Sequence, residues 1–239
     1  MNYLFKIYDV YNIRVRMSVG IITIAPIILS LYLLIPEVQN ISFTAVIIIT
    51  SLGMGNLMIS LSRYFSRKAS SKCFSSLLPA QQMLLPDDTT LDAITKKRYH
   101  EFFLSKVKGL SFTDTPSNVK NSCNSAIAWL IAQTRNAEKF PLIKEESINF
   151  GFAKNLYGLK PIGIVISSSL FLVESGILVI KVRYSLDILT FPNLVAAIVM
   201  SLTFLLLWTF AVRKDWILDS GKKYARVLLS ACDSEYFKS

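Results

Sequence analysis

Residues 161–180 read PIGIVISSSLFLVESGILVI. Twelve of these twenty residues are Ile, Leu, Val or Phe, and Glu174 is the single charge. A helix of about 20 residues is ~30 Å long, the thickness of a bilayer's hydrocarbon core. A carboxylate there costs on the order of 3 kcal/mol, and each large apolar residue returns roughly 0.3–0.6 kcal/mol. The sum favours insertion, so the stretch reads as a membrane helix that carries an intramembrane carboxylate.

Three similar blocks follow from the same test. Met17–Ile35 and Ile41–Leu61 are uncharged, and Ile188–Val212 ends on Arg213-Lys214. Pro26 is a candidate kink in the first block. The first block lacks the small-residue cleavage site of a signal peptide, which makes it a retained helix. PEVQN at 36–40 and KVRYSLD at 181–187 are short connections. The predicted architecture is therefore an all-α membrane protein: two transmembrane helical hairpins, four spans in total, flanking a helical cytoplasmic domain. The boundaries are a cytoplasmic N-terminus at 1–16, a hairpin at 17–61, the cytoplasmic domain at 62–160, a hairpin at 161–212 and a cytoplasmic C-terminal helix at 213–239.

Orientation comes from Lys and Arg, which collect on the cytoplasmic side. The chain has 26 basic against 16 acidic residues, a net charge of +10. Three basic residues precede the first block, four lie in 62–72 and six follow Val212, whereas the loop at 36–40 has none. Both termini and the middle segment are thus expected to be cytoplasmic, with Lys181 and Arg183 a mild violation. Overall 52% of residues are hydrophobic. Since ordinary soluble domains reach 45–50%, it is the concentration into blocks that decides the class.

The middle segment has helical punctuation. In DDTTLDAITKKRYHEFFLSKV (87–107), Asp88 to Thr90 is a candidate cap, with Asp92 in the first turn and Leu91, Ile94, Phe102 and Val107 as the apolar stripe. In TPSNVKNSCNSAIAWLIAQT (115–134), Thr115 caps and Pro116 takes the first helical position. Val119, Cys123, Ala126, Ile127, Leu130, Ile131 and Thr134 form its stripe. KEESINFGFAKNLYG (144–158) reads as a third, shorter helix that Gly158 ends, and Pro161 then opens the membrane helix. That junction, with Lys154 and Lys160 at headgroup level among aromatics, would join a cytoplasmic helix to a membrane one, or serve as a passive anchor. The tail after Trp216 is also helical in pattern and suited to returning onto the middle segment.

Signals for catalysis are nearly absent. There is no phosphate-binding loop, nucleophile elbow, zinc-protease motif or dinucleotide fingerprint. His100 is the only histidine, and Cys73, Cys123 and Cys232 have no metal-ligand spacing. Asp87-Asp88 reads as a turn. The expectation is a non-enzyme with no cofactor and no metal.

The residues that suggest function are elsewhere. Ser167, Phe171, Glu174 and Leu178 share one helical row, and Asn56 lies in SLGMGN (51–56), where Ser51 and Gly55 make a small-residue face. They are candidate pore-lining residues, Glu174 favouring cations. The alternative is helix packing, with Glu174 paired to Arg183 or Lys181. Residues 62–160 hold 15 basic against 8 acidic residues, a net of +7. Arg63, Arg67, Lys68 and Lys72 suit a lipid surface. Lys96, Lys97, Arg98, Arg135 and Lys154, near aromatics, are candidates for binding a phosphate-bearing ligand, or simply a solvated face.

The stretches AIAWLIAQTRNAEKFPLI and INFGFAKNLYGLKPIG, with the hairpin–domain–hairpin layout, resemble small four-span bacterial membrane effectors of phage-defence systems, such as the channel component of the Hailong system. The likeness is one of layout and transfers no ligand residue by itself. It implies a bacterial inner-membrane location, an oligonucleotide or nucleotide signal and a neighbouring nucleotidyltransferase. Four spans of one chain are too few to enclose a wide pore, so a channel would be a homo-oligomer, such as a tetramer. The competing expectation is a membrane scaffold that recruits a cytoplasmic partner.

Overall fold

The computed structural model describes residues 11, 13–39, 55–74, 77–184 and 191–237, and only the backbone of 37, 39 and 55–59. The described residues are helical, with no strand among them. The helices are α1 (Ser18–Leu34, entered by a π-helical turn Ile13–Met17), α2 (Gly55–Cys73), α3 (Pro79–Met83), α4 (Ala93–Lys106), α5 (Pro116–Gln133), α6 (Pro141–Arg183), α7 (Phe191–Leu206, continued by a π-helical turn Leu207–Ala211) and α8 (Lys214–Ser230). Three of these segments are long and apolar enough to cross a membrane: Ile13–Leu34, α6 and Phe191–Ala211. The second block, Ile41–Leu61, falls mostly outside the described residues, as do Ser51 and the Asn56 side chain.

The chain divides into two compact units, Met1–Ala69 with Lys154–Lys214, and Ser70–Ala153 with Asp215–Ser239.

In the first unit, polar contacts fix the helix directions. The Asn155 amide donates to the Val15 carbonyl at 2.9 Å, and the Ser30 hydroxyl donates to Glu174 at 2.6 Å. Residue numbers rise together on both helices, so α1 runs alongside α6 in the same direction. Lys160 donates to the carbonyls of Thr209 at 2.9 Å and Val212 at 2.8 Å, and Ser201 donates to Glu174 at 2.7 Å. Here the numbers rise in opposite senses, so α7 is antiparallel to α6. The Lys160 ammonium thereby caps carbonyls that the end of a helix leaves unpaired.

The expected helix break at Gly158 and new start at Pro161 is corrected: α6 is one helix of 43 residues, with Pro161 inside it. Membrane helices tolerate an interior proline because neighbouring groups re-satisfy the freed backbone. Gly158 has a different use. A Cβ on it would sit 2.8 Å from the carbonyl carbon and oxygen of Phe65 and 3.0 Å from the Ser66 nitrogen on α2. Its missing side chain admits a neighbouring backbone. Gly163 does the same for Trp208, whose ring lies within 2.6 Å of where a Cβ would stand. Pro26, likewise, lies buried inside α1, which runs on to Leu34.

The second unit has one apolar core. Met83, Leu84, Tyr99, Phe103, Cys123, Ile127 and Leu130 pack with Leu228 and Leu229 of α8 and with Ala231 and Cys232 beyond it. The tail returns onto the middle segment, as its pattern suggested. α5 begins at Pro116 after Thr115, and it buries Val119, Cys123, Ala126, Ile127 and Leu130 as expected. Ile131 is a correction, at 46% exposure. The start of α4 is a second one. Asp92 is the cap residue, its carboxylate accepting from the Thr95 N–H at 2.8 Å, while Asp88 accepts from the Thr90 N–H in the loop before. The buried face of α4 is Lys96, Tyr99 and Phe103, and Ile94 is 80% exposed. An aromatic pair outweighed an aliphatic stripe. Burial pushes the thiol pKa of Cys123 up to about 11 and that of Cys232 up to about 12, so both are inert packing groups.

Candidate functional site

The chemistry of the first unit gathers at Glu174. It is 1% exposed although it stands in the apolar half of α6. One carboxylate oxygen accepts from Ser30 of α1 at 2.6 Å and the other from Ser201 of α7 at 2.7 Å. Ser30 is 3% and Ser201 0% exposed. Three helices thus contribute one polar side chain each to a closed triad. Glu174 does not pair with Lys181 or Arg183, which corrects the ion-pair alternative. The reason is reach: both cations lie about two to two and a half turns further along the same helix, toward its end, while the serines face Glu174 from neighbouring helices.

Of the other expected pore residues, Ser167 is fully buried on the same row as Glu174, and Phe171 and Leu178 are half-buried. The Ser167 hydroxyl has no hydrogen-bond partner among the described residues, and neither does that of Ser62 on α2. The opposite row of α6 is apolar and open, with Val165, Leu172, Val173 and Val179 between 60% and 68% exposed. That face suits lipid. Within a single chain, then, the polar row points inward and is sealed.

Sequence reasoning singled out Glu174 and missed Ser30 and Ser201. The available signal was weak: each is one of several hydroxyls in a mostly apolar span, Ser30 beside Thr23 and Tyr32, Ser201 beside Thr203. One carboxylate with two hydroxyls falls well short of the oxygen shell of a calcium site. Among the described residues no group of three His, Cys, Asp or Glu could hold a metal ion.

The basic candidates are dispersed. Lys96 is buried at 8% exposure, and its ammonium donates to the carbonyl of Leu85 at 2.7 Å and to that of Asp88, with Pro86 at 3.5 Å. It ties the loop 85–88 to α4. Lys97 lies 4.0 Å from Glu101 at the surface, and Arg98 pairs with Asp233 at 2.9 Å. Arg135 is exposed just past α5, and Lys154 belongs to the first unit. The charge is divided unevenly. The first unit has 12 basic and 4 acidic residues, a net of +8, and the second has 14 and 12, a net of +2. Most of the +7 counted over 62–160 comes from Arg63, Arg67, Lys68, Lys154 and Lys160, all in the first unit.

His100 belongs to the fold of the second unit. Its Nε2 is 2.8 Å from the Leu84 carbonyl, and its ring stacks on Phe112 at 4.0 Å between centroids. Burial, with the Lys96 charge nearby, holds its pKa below the ordinary histidine value, and the Leu84 contact opposes this.

Comparison with known proteins adds nothing to this geometry. No family model, no curated protein and no solved structure matches the chain.

Proposed function

We propose that the chain is the subunit of an oligomeric, cation-favouring ion channel of the bacterial inner membrane, gated by a ligand on its helical second unit and acting in anti-phage defence. The observation that carries this reading is the Glu174 triad. An ionisable residue inside a membrane helix marks a conduction or proton path by default, and its two partners come from two other helices of the bundle. The triad is sealed in one chain, which supports assembly: a conducting path needs either several copies or a rearrangement that exposes the polar row. The defence role rests on the resemblance in layout alone.

Four crossings with both termini inside are part of the proposal. The chain is beside Glu174 at Ser30 and beside Gly158 at Phe65. These sites are sixteen residues apart on α6, or ~24 Å. The fourth crossing in this reading is Ile41–Leu61, which is uncharged and long enough to span. The basic residues Arg14, Arg16, Lys154, Lys160, Arg213 and Lys214 lie near the Asn155–Val15 and Lys160–Val212 contacts. That end would face the cytoplasm. Residues of α6 belong to both units. A change in the second unit therefore has a covalent route to the span that carries Glu174.

The test is cation flux in liposomes containing the purified chain, with Glu174→Gln beside the wild type. Altered conductance or selectivity in the variant supports the reading. Wild-type protein that is correctly folded and never conducts, with or without oligoadenylates, would overturn it.

A second reading draws on the same triad. Both oxygens of Glu174 are already satisfied within the chain, as in a structural tie. A membrane scaffold that recruits a cytoplasmic partner would have such a tie, and Glu174→Gln would then change stability alone.

A further inference from the structure

The second unit contains a cavity of about 660 Å³, within the range of sites that hold small organic molecules. Leu85 of the loop after α3, with Phe112 and Val119, supplies apolar wall. Phe112 is kept in place by its stacking on His100. The mouth carries Asp87, Asp114 and Gln82, with Lys120 as the single cation. Two carboxylates against one ammonium leave the rim net negative. Asp114 is fixed by accepting from the Asn118 amide and the Thr115 N–H, both at 2.7 Å, and these bonds hold its pKa below the usual carboxylate range. Its charge persists at neutral pH.

We propose that this cavity binds a small, phosphate-free molecule with a flat apolar ring and N–H or O–H donors at its edge. The ring would lie against Phe112, Leu85 and Val119, and the donors would meet Asp87, Asp114 and the Gln82 amide oxygen. A phosphate in this cavity would share it with two carboxylates, and Lys120 alone does not balance them. The site is therefore distinct in chemistry from the exposed basic residues Lys97, Arg98 and Arg135. Nucleosides and aromatic amines share the required chemistry. The inference is independent of conduction, because occupancy is read directly.

The test is isothermal titration calorimetry on the full chain in detergent micelles, with adenosine, tryptamine and adenosine monophosphate as probes. Binding of adenosine or tryptamine is expected with a Kd of about 1 mM or tighter, and the monophosphate about tenfold weaker than adenosine. Thr113→Trp, at an exposed position on the mouth, should weaken the binding by about tenfold or more by filling it. The double variant Asp87→Asn, Asp114→Asn should remove the discrimination against the phosphate. An adenosine-only or tryptamine-only response identifies which source fits. The proposal falls if neither probe binds, if Thr113→Trp leaves binding unchanged in a protein with wild-type circular dichroism, or if the monophosphate binds as well as adenosine.

Discussion

Gly158 and Gly176 stand on the same helix and should respond oppositely to the same substitution. At Gly158 an added methyl would lie 2.8 Å from two backbone atoms of Phe65 and 3.0 Å from a third at Ser66, against 3.4–4 Å for ordinary contact. No side-chain rotation relieves a clash with backbone, so α2 and α6 must separate by roughly half an ångström or more. Overpacking of that kind costs ~1–3 kcal/mol. Alanine recovers up to ~1 kcal/mol of helix propensity, which leaves a net loss of up to ~2 kcal/mol. At Gly176 nothing lies within 4 Å of the new methyl. Only the propensity gain remains there, up to ~1 kcal/mol. The assay is equilibrium unfolding in mixed dodecyl sulfate and maltoside micelles, followed by circular dichroism. Comparing two alanines on one helix cancels most errors of the reference state. Equal stabilities for Gly158→Ala and Gly176→Ala, or a Gly158→Ala protein more stable than wild type, would refute the packing of α2 on α6 at this point.

Other outcomes follow from the same contacts. Ser30→Ala and Ser201→Ala each remove one hydrogen bond to the buried Glu174 carboxylate, and the same unfolding assay should show a loss of ~1 kcal/mol apiece. Two losses near zero would mean that the triad is not formed. His100 has a folded pKa below its unfolded value of about 6.5, so the unfolded chain binds the proton more readily. Stability should be level above about pH 6.5 and fall as the pH drops from there toward the folded pKa. Thermal melts across that window should show the decline in wild type and a flatter profile in His100→Gln; the reverse slope in wild type would contradict the burial of the ring.

The membrane helices were legible because apolar length is a property of a single stretch. Contacts between stretches were less so. Glu174 stood out as a charge in an uncharged run, but its partners Ser30 and Ser201 lie 144 and 27 residues away in sequence, and a serine that is one of several hydroxyls in a mostly apolar span carries no marker. Gly158 shows the same limit. Followed by Lys160-Pro161, a glycine reads as a stop, and only the approach of Phe65 reveals that it is a packing position. In the second unit the start of α5 was readable from Pro116, although the Thr115 side chain makes no capping bond. The face of α4 was not, because Lys96 is a charged residue drawn inward by carbonyls of the preceding loop. The cavity under Asp87 and Asp114 had no signal in the sequence, since its walls come from separate helices and loops.

A channel gated from the cytoplasm requires the two ends of α6 to lie on opposite sides of the bilayer. Single cysteines at Tyr184, 70% exposed past the end of α6, and at Lys97, exposed in the second unit, can be labelled in intact cells with a membrane-impermeant maleimide. The half-buried Cys73 is replaced by serine in every variant, the native thiols of Cys123 and Cys232 are buried, and the parent chain with the same replacement serves as the background. Tyr184→Cys should label from outside, and Lys97→Cys only after the membrane is opened. Labelling of Lys97→Cys in intact cells, with Tyr184→Cys protected, would put the second unit on the wrong side and contradict the proposed channel.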